Sequence, residues 1–144
     1  MWVLESEEYS EIRQELEDVL SEENIERNSG RFRDLYDNAQ DTYSIIESAA
    51  YKWSDSGEFA LGSSRQKTSH LMEKADIEGE ERSMGRAISM LYELDLIDRH
   101  QRATGNRWDL SESNINEIGK YCKVIQEEGE DIIEEKLDRP YQRS

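Results

Sequence analysis

Along most of this chain apolar residues recur at steps of three and four, the spacing that turns one face of a helix toward a core. Tyr9, Ile12, Leu16, Val19 and Leu20 keep that step and predict a first helix over about residues 6–27. Asn28-Ser29-Gly30 interrupts it, because small polar residues and glycine favour turns. Phe32, Leu35, Tyr36, Ala39, Tyr43, Ile46, Ala49, Ala50 and Trp53 then resume the period as a second helix, which stops near Ser54-Asp55-Ser56-Gly57. After a connector over 58–62, Ser63 or Ser64 is placed to cap a third helix that carries Leu71, Met72 and Ala75 inward and ends near Asp76. Gly79 marks the next turn. Glu80 and Glu81 suit the positive start of a fourth helix, which points Met84, Ala87, Ile88, Leu91 and Leu94 inward and ends around Asp95.

The pattern then changes. Residues 96–101 and 107–110 are two short segments of β-like content, and 102–106, with Gly105, forms the loop of a hairpin between them. Ser111 or Ser113 can cap a last helix running to about Leu137. Its stripe of Ile115, Ile118, Cys122, Ile125, Gly129 and Ile132 keeps a seven-residue period, which predicts pairing with another helix. That partner is either the same helix of a second subunit or residues 6–27 of this chain. The expected fold is mainly α with a small β-hairpin, in three regions: a helical region over 1–57, a central module over 58–111 and a C-terminal helix over 112–144.

Charge adds information that the hydrophobic pattern lacks. The 144 residues hold 34 Asp and Glu against 18 Lys and Arg, a net charge of −16, and arginine outnumbers lysine by 12 to 6. Acidity of this size ordinarily repels nucleic acid. Its distribution matters, because residues 1–64 carry −11, residues 65–107 carry 0 and residues 108–144 carry −5. A uniformly acidic chain would not leave its centre balanced without an anionic partner there. The lysine-poor acidic flanks resemble the composition of proteins from salt-loving organisms; a mesophilic acidic protein with a basic or protein partner is the other reading.

Several classes of chemistry find no support. One cysteine, Cys122, forms no internal bridge, and His70 and His100 do not make a zinc set, so no metal and no cofactor are expected. No Ser–His–acid spacing or glycine-rich phosphate loop is present, and carboxylates are too abundant for any pair to be informative, so the expectation is that the chain is not an enzyme. No segment reaches the ~18 apolar residues of a membrane span and the start lacks a signal-peptide pattern, so a cytoplasmic protein is expected. A small-molecule effector cannot be read from the residues.

Helix, turn, helix and hairpin, in this order and with these lengths, form the layout of a winged helix-turn-helix. The run Arg82-Ser83-Met84-Gly85-Arg86-Ala87-Ile88-Ser89-Met90-Leu91-Tyr92-Glu93-Leu94-Asp95-Leu96-Ile97-Asp98-Arg99 resembles the recognition helix and first wing strand of MarR- and ArsR-type transcription regulators. The resemblance covers about residues 63–111, and Gly85 departs from it, since the family more often has a polar side chain there. It implies a sequence-specific, double-stranded DNA-binding regulator. A homodimer would form through the flanking helices, with Ile115, Ile118, Cys122, Ile125 and Ile132 at the dimer interface. Its recognition helices, over about 81–95, would address half-sites about one helical turn apart.

The chemistry of the residues fits that expectation. With the apolar stripe inward, Arg82, Ser83, Arg86 and Ser89 face outward, with Met90 at the margin of that face. Arg86 is the best candidate for a base contact because a guanidinium bonds both acceptors of guanine; pairing with Glu93 or Glu80 is its alternative. In the hairpin, over about 96–110, Arg99, Arg102 and Arg107, with Thr104 and Asn106 near the tip, are placed for the phosphate backbone or the minor groove. Arg65, Lys67, Thr68 and Ser69, at the expected start of the third helix, join backbone N–H groups as candidate phosphate contacts. Trp108 is expected to pack across the hairpin onto the fourth helix. The rival function is a non-enzymatic winged helix that binds protein as an architectural or adaptor subunit, with acidic flanks that repel DNA.

Overall fold

The computed structural model describes residues 5–55, 65–102, 105–110 and 115–138. Among the described residues, six α-helices and a small antiparallel sheet make the fold mainly α, as the periodicity predicts. The helices are α1 (Ser6–Asp18), α2 (Ile25–Asp37), α3 (Ala39–Asp55), α4 (Thr68–Ala75), α5 (Glu81–Glu93) and α6 (Ile115–Ile133). The strands are β1 (Arg65–Gln66), β2 (Asp98–Arg102) and β3 (Gly105–Asp109), in the order β1-β3-β2. A single π-helical turn, Glu134–Asp138, extends α6. Among the described residues no helix is long and apolar enough to cross a membrane.

The N-terminal half departs from the expectation of two helices. The first break falls at Val19–Asn24, and Asn28-Ser29-Gly30 lies inside α2. Asn28 is buried there, and its Nδ2 donates to the Val19 carbonyl at 2.8 Å, so an end carbonyl of α1 is satisfied by a side chain. The residue that reads as a helix breaker thus staples the preceding turn. A second break occurs at Asn38, whose Nδ2 donates to the Asp34 carbonyl at 2.8 Å while its own carbonyl accepts from the Thr42 N–H and hydroxyl. One residue ends α2 and starts α3.

Helix ends in the central module follow the sequence closely. Asp76 and Asp95 both take left-handed φ values, 55° and 61°, and the next residue's N–H reaches back five positions: Ile77 to Met72 at 3.0 Å, and Leu96 to Leu91 at 3.0 Å. This is the usual way a helix disposes of its last carbonyls, here with aspartate where glycine is commoner. At the other end of α4, Lys67 rather than Ser63 or Ser64 occupies the N-cap, and it makes no side-chain cap; the two serines lie outside the described residues. Arg65 belongs to β1, which pairs Arg65 with Asp109 and Gln66 with Trp108, a strand the sequence reading did not contain. The hairpin is tighter than expected, since Arg102 already pairs with Gly105.

One core runs through the whole assembly. Leu16, Phe32, Leu35, Ile45, Ile46, Leu71, Ile88, Leu91, Ile118 and Ile125 are all fully or almost fully buried in it. Helix α6 packs on α1, α2 and α3, and α5 packs on α2, α3 and α4. This corrects the expected dimer interface: Ile118, Cys122, Ile125 and Ile132 are buried within the chain itself, and Ile115 is partly buried against the same core. Of the two partners that the heptad stripe allowed, the internal one is found. Burial also pushes the Cys122 thiol up to about 12.

Candidate functional site

Helix α5 lies between α4 and α2, and this arrangement decides which of its residues reach solvent. Met84, Ala87, Ile88 and Leu91 turn into the core as expected. Two expectations fail: Ser89 is 8% exposed and Met90 fully buried, because α2 packs along the flank where both were read as outward or marginal. Arg82 and Arg86 remain exposed, while Ser83 is half-buried.

Three ion pairs join α2 to α5. Arg27 Nη2 lies 3.0 Å and Arg31 Nη1 3.5 Å from the Glu93 carboxylate, and Arg86 Nη1 lies 3.5 Å from Asp34 Oδ2. The two helices therefore run antiparallel, with the start of α2 beside the end of α5. Arg86 pairs with Asp34, an acceptor on another helix, rather than with Glu93 or Glu80. At 3.5 Å the contact is a long one, and among the described residues Asp34 Oδ2 is buried without a hydrogen bond. Burial pushes the Asp34 carboxyl above its ordinary range, and the Arg86 charge opposes that shift.

Between α2, the start of α4 and the first half of α5 opens a groove of about 1020 Å³. Helix α2 contributes Glu26, Arg27, Ser29, Gly30 and Arg31; Lys67, Thr68 and Ser69 come from the start of α4; Glu81, Arg82, Gly85, Arg86 and Ser89 come from α5. Among the described residues, five cationic side chains meet two carboxylates on its surface. Counting Asp34 and Glu93 behind the arginines leaves an excess of one positive charge, in a chain whose net charge is −16. Arg82 and Lys67 meet no carboxylate among the described residues. A concave, low-dielectric wall focuses such a field.

Trp108 closes one end. It is 2% exposed, and its Nε1 donates to Thr68 Oγ1 at 2.9 Å, which fastens the hairpin to α4. The Thr68 hydroxyl keeps its own proton to donate. Gly85 lies directly opposite: a Cβ there would stand 3.6 Å from Thr68 Oγ1.

The groove thus gathers Lys67, Thr68, Ser69, Arg82, Arg86 and Ser89 of the candidate contacts singled out from sequence, and adds Arg27 and Arg31, which sequence reasoning missed. The two arginines flank the Asn28-Ser29-Gly30 segment that reads as a turn, so nothing in the pattern places them on α5's flank. Arg99 goes elsewhere, its guanidinium stacked 4.3 Å from the centre of the Tyr92 ring. Arg65, Arg102, Asn106 and Arg107 are placed by their strands alone, and Thr104 lies outside the described residues. His70 is exposed on α4. Comparison with protein-family models, with curated proteins and with solved structures found no match to this chain.

Proposed function

We propose that the chain is a non-enzymatic winged helix-turn-helix protein that binds double-stranded DNA, with α4 and α5 as the helix-turn-helix and β2–β3 as the wing. The observation that carries this reading is the groove: cations from α2, from α5 and from the start of α4 line one concave surface in a chain that is otherwise strongly acidic. Element order supports it, since α3, β1, α4, α5, β2 and β3 follow one another with β1 on the far side of β3 from β2. On this reading Lys67, Thr68 and Arg82 contact phosphates at the ends of α4 and α5. Arg86 reads bases after exchanging Asp34 for guanine. Two recognition helices per site would need a second copy joined through a surface other than the α6 stripe.

A protein-binding adaptor is the second reading, favoured by one observation: α2 flanks α5 and Asp34 already holds Arg86. Fluorescence anisotropy of labelled duplexes at several salt concentrations separates the two. A DNA binder gives a log K that falls linearly with log salt, and Arg82→Ala lowers that slope by about one unit. In an Asp34→Asn background, Arg86→Ala is expected to abolish discrimination between specific and random duplex, a loss of roughly 1–3 kcal/mol. The Asn prevents the stranded carboxylate that Arg86→Ala alone would leave. Absence of duplex binding at every salt concentration would hand the site to the adaptor reading.

A further inference from the structure

Helix α2 stands outside the three-helix and hairpin module, yet it supplies a full wall of the groove. Gly30 is the informative residue on that wall. It sits inside α2, where glycine costs about 1 kcal/mol relative to alanine. A Cβ at this position would meet nothing within 4 Å, and its φ is not left-handed, so neither packing nor backbone geometry asks for glycine. What the missing side chain does leave is open space in the groove, which Gly85 of α5 also lines. Glycine in a helix wall admits a ligand close to backbone.

The charges flanking Gly30 fit an anion. Arg27 and Arg31 share one carboxylate, that of Glu93, so one of the two positive charges is uncompensated by it. The Arg27 side chain is 53% exposed. Across the groove stand Lys67 and Arg82. Among the described residues the lining offers no grip for unstacked bases, because the one aromatic ring there, Trp108, is buried and hydrogen-bonded. Hydroxyls of Ser29, Thr68 and Ser69 supply further donors.

We propose that the groove seats one phosphodiester strand of the duplex over α5, between α2 and the start of α4, with Arg27 and Arg31 as phosphate contacts and Gly30 as the opening. This rests on the DNA-binding reading and makes α2 part of the DNA surface instead of a support behind it. A duplex held this way is gripped on both sides of one backbone strand, and the contact is blind to sequence.

Gly30→Leu tests it, because leucine is a good helix former and its side chain would project into open space. The variant is expected to melt no lower than wild type while its affinity for a random-sequence duplex falls roughly tenfold or more, as loss of several phosphate contacts implies. Arg27→Gln, at an exposed position, is expected to lower the salt slope by about one unit. Polyglutamate, charged but without phosphate, is expected to compete poorly. If wild type binds duplex and both variants bind it equally well with an unchanged salt slope, the strand assignment falls while the DNA reading stands. If wild type binds no duplex, both fall. Equal competition by polyglutamate would overturn the strand in favour of an acidic protein segment.

Discussion

Helices α5 and α6 carry the same kind of apolar stripe, and the structure uses the two in different ways. On α6 the stripe is consumed inside the chain from Ile118 onward: Ile118, Ile125 and Ile132 are fully buried, in a helix packed on α1, α2 and α3. Its polar rails are consumed as well. Arg13 pairs with Glu128, Lys120 Nζ lies 2.8 Å from Glu8, Tyr9 donates to Glu128 at 3.0 Å and Tyr121 donates to Glu15. Burial and these carboxylates hold both tyrosine hydroxyls protonated. On α5 the inward stripe is equally dry, but the opposite flank is only half committed, with a long ion pair at Arg86 and one carboxylate shared by two arginines. Periodicity therefore tells that a face is buried, while charge balance around the other face tells whether something more is expected there.

Two substitutions on α6 probe how complete that commitment is. Ile125→Asp places a carboxylate where no water reaches, and the expected result is global unfolding, a loss of more than about 4 kcal/mol from lost burial and an unpaired buried charge. Urea denaturation and light scattering decide: a folded monomer would return the stripe to a subunit interface. Gly129→Ala is expected to cost less, about 1–3 kcal/mol from overpacking. A Cβ at Gly129 would run into the Tyr36 ring, lying 3.0 Å from Cε1. Tyr36→Ala in the same chain should relieve part of that loss, and simple additivity of the two changes would show that the clash is absent.

The same contrast explains what was legible in the sequence. Ends of α4 and α5 were readable because Asp76 and Asp95 sit where local backbone geometry, not packing, ends a helix. The hairpin was readable from Gly105 and its β-like flanks, whereas β1 was not, since two residues carry no period. The break at Val19–Asn24 was invisible for a tertiary reason: no glycine or proline marks it, and the residue that stabilises it, Asn28, lies nine positions on. In the site, Lys67, Arg82 and Arg86 were legible from their positions at helix starts or opposite a stripe. Arg27, Arg31 and Asp34 were not, because only the antiparallel packing of α2 on α5 brings them there.

Gly85→Ala sharpens the α5 side of the comparison. The helix should gain about 1 kcal/mol or less from propensity alone, since the new Cβ meets Thr68 Oγ1 at an ordinary 3.6 Å. A rise in melting temperature is expected. A fall would show that α4 and α5 are closer than their side chains can tolerate and that Gly85 is retained for packing.

The smallest effect concerns Asp34, and its sign is worked out from the direction of its shift. Burial raises the carboxyl above its ordinary range despite Arg86, with Asp37 and Glu80 adding in the same direction as burial. The folded state thus favours the protonated form, so the favourable contribution of this group is fully present below the ordinary carboxylate range and is lost as pH rises through the raised value. At neutral pH the ionised Asp34 opposes folding, and an oxygen without a hydrogen bond is the structural counterpart of that cost. Asp34→Asn removes the ionisation, so the variant is expected to melt slightly above wild type at pH 7, with the difference shrinking as pH falls and Asp34 itself becomes neutral. Partial exposure, 19% for this side chain, and the attraction of Arg86 keep the gain small. Thermal melts from pH 3 to 8 read it directly. A variant less stable than wild type at pH 7 would mean that the Arg86 ion pair outweighs burial, and that the α5 flank is as firmly committed as the α6 stripe.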